Sequence, residues 1–297
     1  MKYLKYFEST HRVRVKHTRS RFKKAMNILF SSKSKKDDFE KSIDFILEHC
    51  SEWIENPIIL KRSINTDEDV IFSTKPVKRY SIDNNNFYNL IMSNDKVWKK
   101  YPKRMKSIIG SVMNSPFKDN YYMIPFDGAK FGVAPSKDIF QSFRKGFMKK
   151  INYVMDVDSF FIRLYNLFSK NDLPLTDTNF RKFKQELKMI DLEKMYDKVD
   201  NFDKTFIDQI VNFTKEPNKF YKEIIECLDP DYNGFKLMNI KEMSKDKSLD
   251  MNEIWTEMEC VFIPNDLIHE VFYKIDKKKK TNLIKLLKGI RKSTWSF

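Results

Sequence analysis

Between Asp38 and Asn56, in "DDFEKSIDFILEHCSEWIEN", the apolar residues Phe39, Ile43, Ile46, Leu47 and Ile54 recur at helical spacing. Acids lie early in the segment and Pro57 follows it. The pattern predicts an amphipathic helix that ends at the proline. From Ile58 to about Ser136 the character changes: "IILKRSI", "DVIFST", "SIIGSVM", "YYMIPF" and "KFGVAP" are short β-rich runs separated by Pro, Gly, Asn and Asp. They predict a sheet. One helix, in "NNNFYNLIMSNDKVWKKYP", interrupts them. Four of the six glycines lie between Gly110 and Gly146, where the strands need tight turns.

The pattern is helical again from Asp138 to about Leu228. "DIFQSFRKGFMKKINYVM", "DSFFIRLYNLFSK", "TNFRKFKQELKMI" and "FDKTFIDQIVNFTK", broken at Pro174 and Pro217, predict four or five helices that pack through Phe-rich faces. Those Phe and Met residues read as core rather than as a cofactor pocket. No repeat of fixed period is visible. Together the elements predict an α+β fold: a small mixed or antiparallel sheet core with an N-terminal helix and a large helical insertion. The chain divides into a basic N-terminal arm (1–36), the first half of the α+β core (37–137), the helical insertion (138–228) and the second half of the core (229–297). That last part holds "EIWTEMECVFIP" and a basic C-terminal helix.

Charge changes the picture. Over 297 residues, 56 Lys+Arg face 41 Asp+Glu, a formal charge of +15 that favours acidic partners such as a nucleic acid, an acidic protein or a dinucleotide. Much of it lies in "HRVRVKHTRSRFKK", an arm suited to gripping phosphates or to lying solvated on the body, followed by the linker-like "SSKSKKDD". The cysteines Cys50, Cys227 and Cys260 are distant, odd in number and without a C-x-x-C pair, which argues against a disulfide framework and a zinc site and fits a reducing cytoplasm. No apolar run suits a signal peptide or a membrane span, so a soluble protein is expected.

Most familiar chemistry drops out. "DPDYNGFKLMNI" places Asp229, Asp231, Asn233 and Gly234 at calcium-loop offsets, but its twelfth position is Ile240, so it reads as an Asx-Gly turn and no metal is predicted. No P-loop, G-x-G-x-x-G, H-E-x-x-H or G-x-S-x-G sequence occurs, and His11, His17, His49 and His269 are scattered. Chemistry must then rest on carboxylates, Arg and Ser.

Glu257 and Glu259 are the candidate pair. In a strand, residues two apart share a face, so these two would point together while Met258, Cys260 and Phe262 pack on the other side. A carboxylate stabilises an oxocarbenium-like ribosyl centre, and a second one holds or deprotonates an incoming nucleophile. An E-x-E ahead of a β-run also arises by chance, as the wet edge of a strand.

"TEMECVFIP" resembles the E-x-E segment of mono-ADP-ribosyltransferases of the arginine, serine, glutamate class, in which the second glutamate begins a strand followed by aliphatic residues. That class has an arginine on an early strand and a serine at the end of a later one. "IILKRSI" and "SIIGSVM" supply Arg62 and Ser111 in that order. The stretch from "KPVKRYSIDNNN" through "YPKRMKSIIGS" to "PSKDIFQSF" also resembles phage-encoded proteins with a serine-rich strand after a "YPKR-x-KS" run. The resemblance implies that Arg62 contacts the phosphates or ribose of NAD, Ser111 orients the catalytic glutamate, Glu259 bonds the ribose and Glu257 positions the acceptor. Arg79, Arg104 and Ser107 would line the same pocket. Glu253 is a substitute carboxylate, because "EIW" carries the motif equally well.

Two expectations follow. The first is transfer of ADP-ribose from NAD, as a substrate, to a host protein or nucleic acid by a phage-encoded protein in the bacterial cytoplasm. The second is a non-enzymatic nucleic-acid-binding or virion-associated phage protein, held to DNA by its basic arm, whose strand glutamates do nothing.

Overall fold

The computed structural model describes residues 35–64, 71–76, 87–113, 121–150, 157–170, 179–188, 196, 201–211 and 217–287. The basic N-terminal arm and Arg79 lie outside them. The strands are β1 (Leu60–Arg62), β2 (Phe72–Thr74), β3 (Ile108–Val112), β4 (Tyr121–Pro125), β5 (Lys130–Val133), β6 (Lys236–Asn239), β7 (Glu253–Thr256) and β8 (Cys260–Pro264). They form one eight-stranded sheet of order β2-β8-β4-β1-β3-β7-β5-β6, and each pair is antiparallel. The fold is α+β, as the sequence predicts.

Connection lengths show that this sheet is closed on itself. β7 and β8 lie four strands apart in the order, roughly 19 Å across a flat sheet at about 4.8 Å per strand. Yet only Glu257, Met258 and Glu259 join them, a reach of at most about 15 Å. β4 and β5 are likewise four places apart and joined by Phe126–Ala129. Both pairs are single long strands bent at a corner, the device by which strands pass from one sheet layer to another. The two bent strands pair on both sides of the corner: Pro125 faces Cys260, the Phe126 amide donates to the Glu259 carbonyl at 3.0 Å, and Gly132 faces Trp255. From the pair Pro125 and Cys260 to the pair Gly132 and Trp255, one strand advances by seven residues and the other by five. The two extra residues bulge at the corner, where Gly128 adopts φ 78°.

The predicted helix over 38–56 is two helices, α1 (Lys35–His49) and α2 (Ser51–Glu55), broken at Cys50. The corner fixes the break: Asp127 accepts from the Glu52 amide through Oδ1 and from Ser51 Oγ through Oδ2, both at 2.7 Å, and so caps α2. Next come α3 (Phe87–Asn94), α4 (Arg144–Lys150), α5 (Val157–Lys170), α6 (Phe180–Lys188), α7 (Asn201–Val211) and α8 (Pro217–Cys227). The last five lie between β5 and β6. α9 (Pro230–Asn233), α10 (Ile240–Lys245) and α11 (Ile268–Lys279) follow. Asp229 caps α9 through the Tyr232 amide, and Gly234, at φ 85°, ends it. Among the described residues no helix is long and apolar enough to cross a membrane.

Alternation along the strands sorts the core into two bodies. Ile108, Val112, Tyr121, Met123 and Ile254 point into the closed sheet with α1, α2 and α11. Ile109 and Trp255 point out of it, against the Phe-rich faces of α3–α8. Phe87 and Phe183 stack there with centroids 5.1 Å apart. Among the described residues of these helices the Phe side chains are buried or half-buried in the core, as expected.

Candidate functional site

β7 presents Glu253 and Trp255 on its outer face, and both hold the segment Tyr101–Ser107 that runs over the sheet. Trp255 Nε1 donates to the Pro102 carbonyl at 2.8 Å. Arg104 Nη2 lies 2.5 Å from Glu253 Oε1. Just past the strand, Glu257 Oε2 accepts from the Lys103 amide at 3.1 Å. The other contacts of this strap are equally local: Tyr101 OH donates to the Phe235 carbonyl, the Met105 amide to Ser93 Oγ and Ser107 Oγ to the Lys103 carbonyl. Ser107 is fully buried and braces the strap.

Glu253 is the centre of the cluster. Its Oε2 accepts from the Ile139 amide at 3.1 Å, and its backbone is bonded to Ser136 and Ala134. Burial pushes its carboxyl above the ordinary range; the Arg104 guanidinium opposes that shift and the nearby Asp138 adds to it. Asp138 is raised as well, chiefly by burial, against the Phe140 amide and Arg104. One guanidinium thus faces two carboxyls in a shielded pocket, with the Arg104 and Glu253 side chains 9% and 12% exposed.

Ser111 belongs to the same cluster. It is the direct partner of Glu253 across β3 and β7, so the two side chains leave the sheet on one face. On its other side its partner is Lys61 of β1. Ser111 Oγ is buried and has no hydrogen-bond partner among the described residues. The same holds for Arg104 Nε and for Glu253 Oε1, whose close approach to Nη2 is therefore a charge contact and not an aligned hydrogen bond. Two donors and one acceptor are left unsatisfied in one buried place, which a bound hydroxyl-bearing ligand would satisfy.

The remaining sequence candidates are elsewhere. Glu257 and Glu259 do not share a strand face, because residues 257–259 form the bend between β7 and β8. Glu257 holds the strap, and Glu259 sits at the corner with Lys75 Nζ 3.9 Å away. Arg62 is one residue past Lys61, so its side chain leaves β1 on the face opposite Ser111 and lies over the Phe262 ring, 5.9 Å from its centroid. Of the residues singled out in the sequence, the fold brings together Arg104, Ser111 and Glu253. Asp138 had no sequence signal of its own; the alternation Glu253, Trp255, Glu257 did, and it marks the face that grips "YPKR".

No protein-family model matches the chain, and no curated protein or solved structure matches it either. Among the described residues no group of three or more His, Cys, Asp or Glu is arranged to hold a metal ion.

Proposed function

We propose that the protein transfers ADP-ribose from NAD to a macromolecular acceptor, with Glu253 in the role that the resemblance gives to Glu259. The observation that carries this reading is the side-by-side placement of Ser111 and Glu253 on adjacent strands, with Arg104 as the cation beside Glu253. Ser111 and the second glutamate are the residues the resemblance pairs, and β1, β3 and β7 are consecutive in the sheet. The resemblance to phage proteins supports an acceptor among host components.

In this reading a ribose hydroxyl donates to Glu253 Oε1 and accepts from Ser111 Oγ, which satisfies both buried atoms. The bond between ribose C1′ and the nicotinamide nitrogen breaks and nicotinamide departs with the electron pair. The Glu253 carboxylate stabilises the positive charge left on the ribosyl centre. The acceptor's nucleophile bonds to C1′ and loses its proton to solvent. Arg104 opposes the burial that favours the acid form of Glu253.

The test is incubation with labelled NAD and a bacterial lysate, following both label transfer and nicotinamide release. Transfer by the wild type and by Glu259→Gln, but not by Glu253→Gln, is the expected result. Transfer lost only with Glu259→Gln would move the centre to the corner, and no transfer by the wild type would overturn the activity.

A further inference from the structure

The strap that covers Glu253 is also the start of a continuous basic surface. Lys103 and Lys106 are exposed on it and Lys99 just ahead of it, while its backbone is fixed by Trp255, Glu257 and Ser93. Its near end joins α9 through Lys100 Nζ and Asp231 Oδ1 at 2.7 Å. α9 joins α4 through the Gly146 amide and Asn233 Oδ1 at 3.0 Å, and the end of α8 lies so close to the same glycine that a Cβ there would be 1.9 Å from the Cys227 carbonyl oxygen. α4 adds exposed Lys145 and Lys149, and Lys149 Nζ lies 4.6 Å from the centroid of the Tyr232 ring, a residue 46% exposed. The exposed carboxylates on this surface include Asp231, which Lys100 answers, and Glu257, which holds the Lys103 amide.

Exposed lysines on linked elements, one of them, Lys149, beside an exposed aromatic ring, fit one polyanion better than others. Single-stranded nucleic acid supplies phosphates for the cations and an unpaired base for the ring, with stacking that is indifferent to sequence. A duplex keeps its bases stacked away from Tyr232, whereas a single strand presents phosphates and unpaired bases together. We infer that the strap–α9–α4 surface binds single-stranded nucleic acid, with phosphates on its lysines and a base on Tyr232, and holds that strand as the acceptor for the Glu253 site. The acceptor half rests on the ADP-ribosyl reading above; the binding half does not.

The experiment is fluorescence anisotropy of a labelled, mixed-sequence single-stranded DNA of about 20 nucleotides across a range of KCl, a length that exceeds a typical site. Lys99→Gln/Lys103→Gln/Lys106→Gln should lower the slope of log K against log[KCl] by roughly 2, at roughly 0.7 for each phosphate no longer neutralised. Tyr232→Ala should weaken binding about fivefold or more at fixed salt and leave the slope unchanged. Lys277→Gln/Lys279→Gln on α11 removes exposed charge elsewhere and should change the slope by much less. Equal slope losses for the strap and α11 variants, or an inert Tyr232→Ala, would overturn the surface.

A second readout separates the two readings: label from NAD is counted on the oligonucleotide and on lysate protein. Binding with the expected slopes but no label from the wild type retires ADP-ribosyl transfer and leaves the surface standing. Label on protein with no oligonucleotide binding retires the surface in favour of an acidic protein acceptor, with the transfer reading intact.

Discussion

Ser111 and Glu253 stand directly opposite one another on β3 and β7, and Arg104 reaches Glu253 from the strap above them. This puts a hydroxyl, a carboxylate and a guanidinium on the outer face of a closed sheet, at the edge of the helical layer. The corner carboxylate Glu259 is separated from them because the chain bends between β7 and β8.

The first prediction concerns the energy of that cluster. Arg104→Met alone leaves Glu253 and Asp138 as shielded carboxyls without their cation, and Glu253→Met alone strands the guanidinium. Each single change should cost about 3–5 kcal/mol, the range for breaking a buried pair. The double variant should cost clearly less than the sum of the two. Urea denaturation of the four proteins measures the coupling; additive losses would mean that the 2.5 Å approach does not couple the two side chains.

A pH dependence follows from the same residues. Asp138 and Glu253 hold their protons more tightly in the folded state than in the unfolded chain. Their contribution to stability is therefore complete below the ordinary carboxylate range and is lost as pH rises through the raised folded values. Asp246, held down to about 2 by Lys236 and Ser248, has the opposite sign, and its contribution is lost as pH falls. Above roughly pH 4.5 an exposed, salt-bridged acid such as Asp246 is ionised and steady. Asp138→Asn should thus gain on the wild type in thermal midpoint as pH rises from about 4.5 to 7.5. A constant or shrinking gap would contradict the raised Asp138 carboxyl.

Much of the fold is legible in the sequence because its signals are local. The five β-rich runs between Ile58 and Ser136 are β1–β5, and the Phe-spaced segments after Asp138 are helices. "EIWTEMECVFIP" reads as one strand but is two, because its bend is set from a distance, by two extra residues on the partner strand and by the Phe126 amide on Glu259. β6 and α10 escape a sequence reading although Asn239 and Glu242 form a reciprocal capping box, since only four residues of strand precede it. The site is half legible. "YPKR", Ser111 and Glu253 are visible in the chain, but which cation faces the serine depends on strand register, and register turns a one-residue difference, Lys61 against Arg62, into opposite faces.

The thiols give a test of packing without any activity. Cys50, Cys227 and Cys260 are all fully buried, and burial is the main cause that raises the Cys50 and Cys260 thiols well above their ordinary value. Native protein should leave an aromatic disulfide reagent unreacted at pH 8, and unfolded protein should react at three thiols. Rapid reaction of native protein at Cys50 would show that the junction of α1 and α2 opens.

Two buried tryptophans make a matched comparison. Trp98 and Trp255 are both buried, but Trp255 Nε1 bonds the Pro102 carbonyl while Trp98 Nε1 has no partner among the described residues. Replacing either by Phe removes similar volume, and only Trp255→Phe also orphans a carbonyl of the strap. Trp255→Phe should therefore cost about 1–3 kcal/mol more than Trp98→Phe in urea denaturation. Equal costs would mean that the strap is not held by that bond.

The last prediction tests how Trp255 is seated. A Cβ at Gly132 would lie 2.1 Å from the Trp255 ring, so the glycine is what lets the indole lie flat on β5 and reach Pro102. Gly132→Ala must displace the ring, at about 1–3 kcal/mol for an overpacked core position. The displaced indole gives up its bond to the strap, so the strap variant and the glycine variant share one cause. Combining Gly132→Ala with Trp255→Phe should then cost less than the sum of the two by more than about 0.5 kcal/mol, because the smaller ring clears the new methyl and the bond is already gone. Thermal and urea melts of the four proteins decide it. Strict additivity would show that the methyl is accommodated by movement of β5 while the hydrogen bond from Trp255 to Pro102 stays intact.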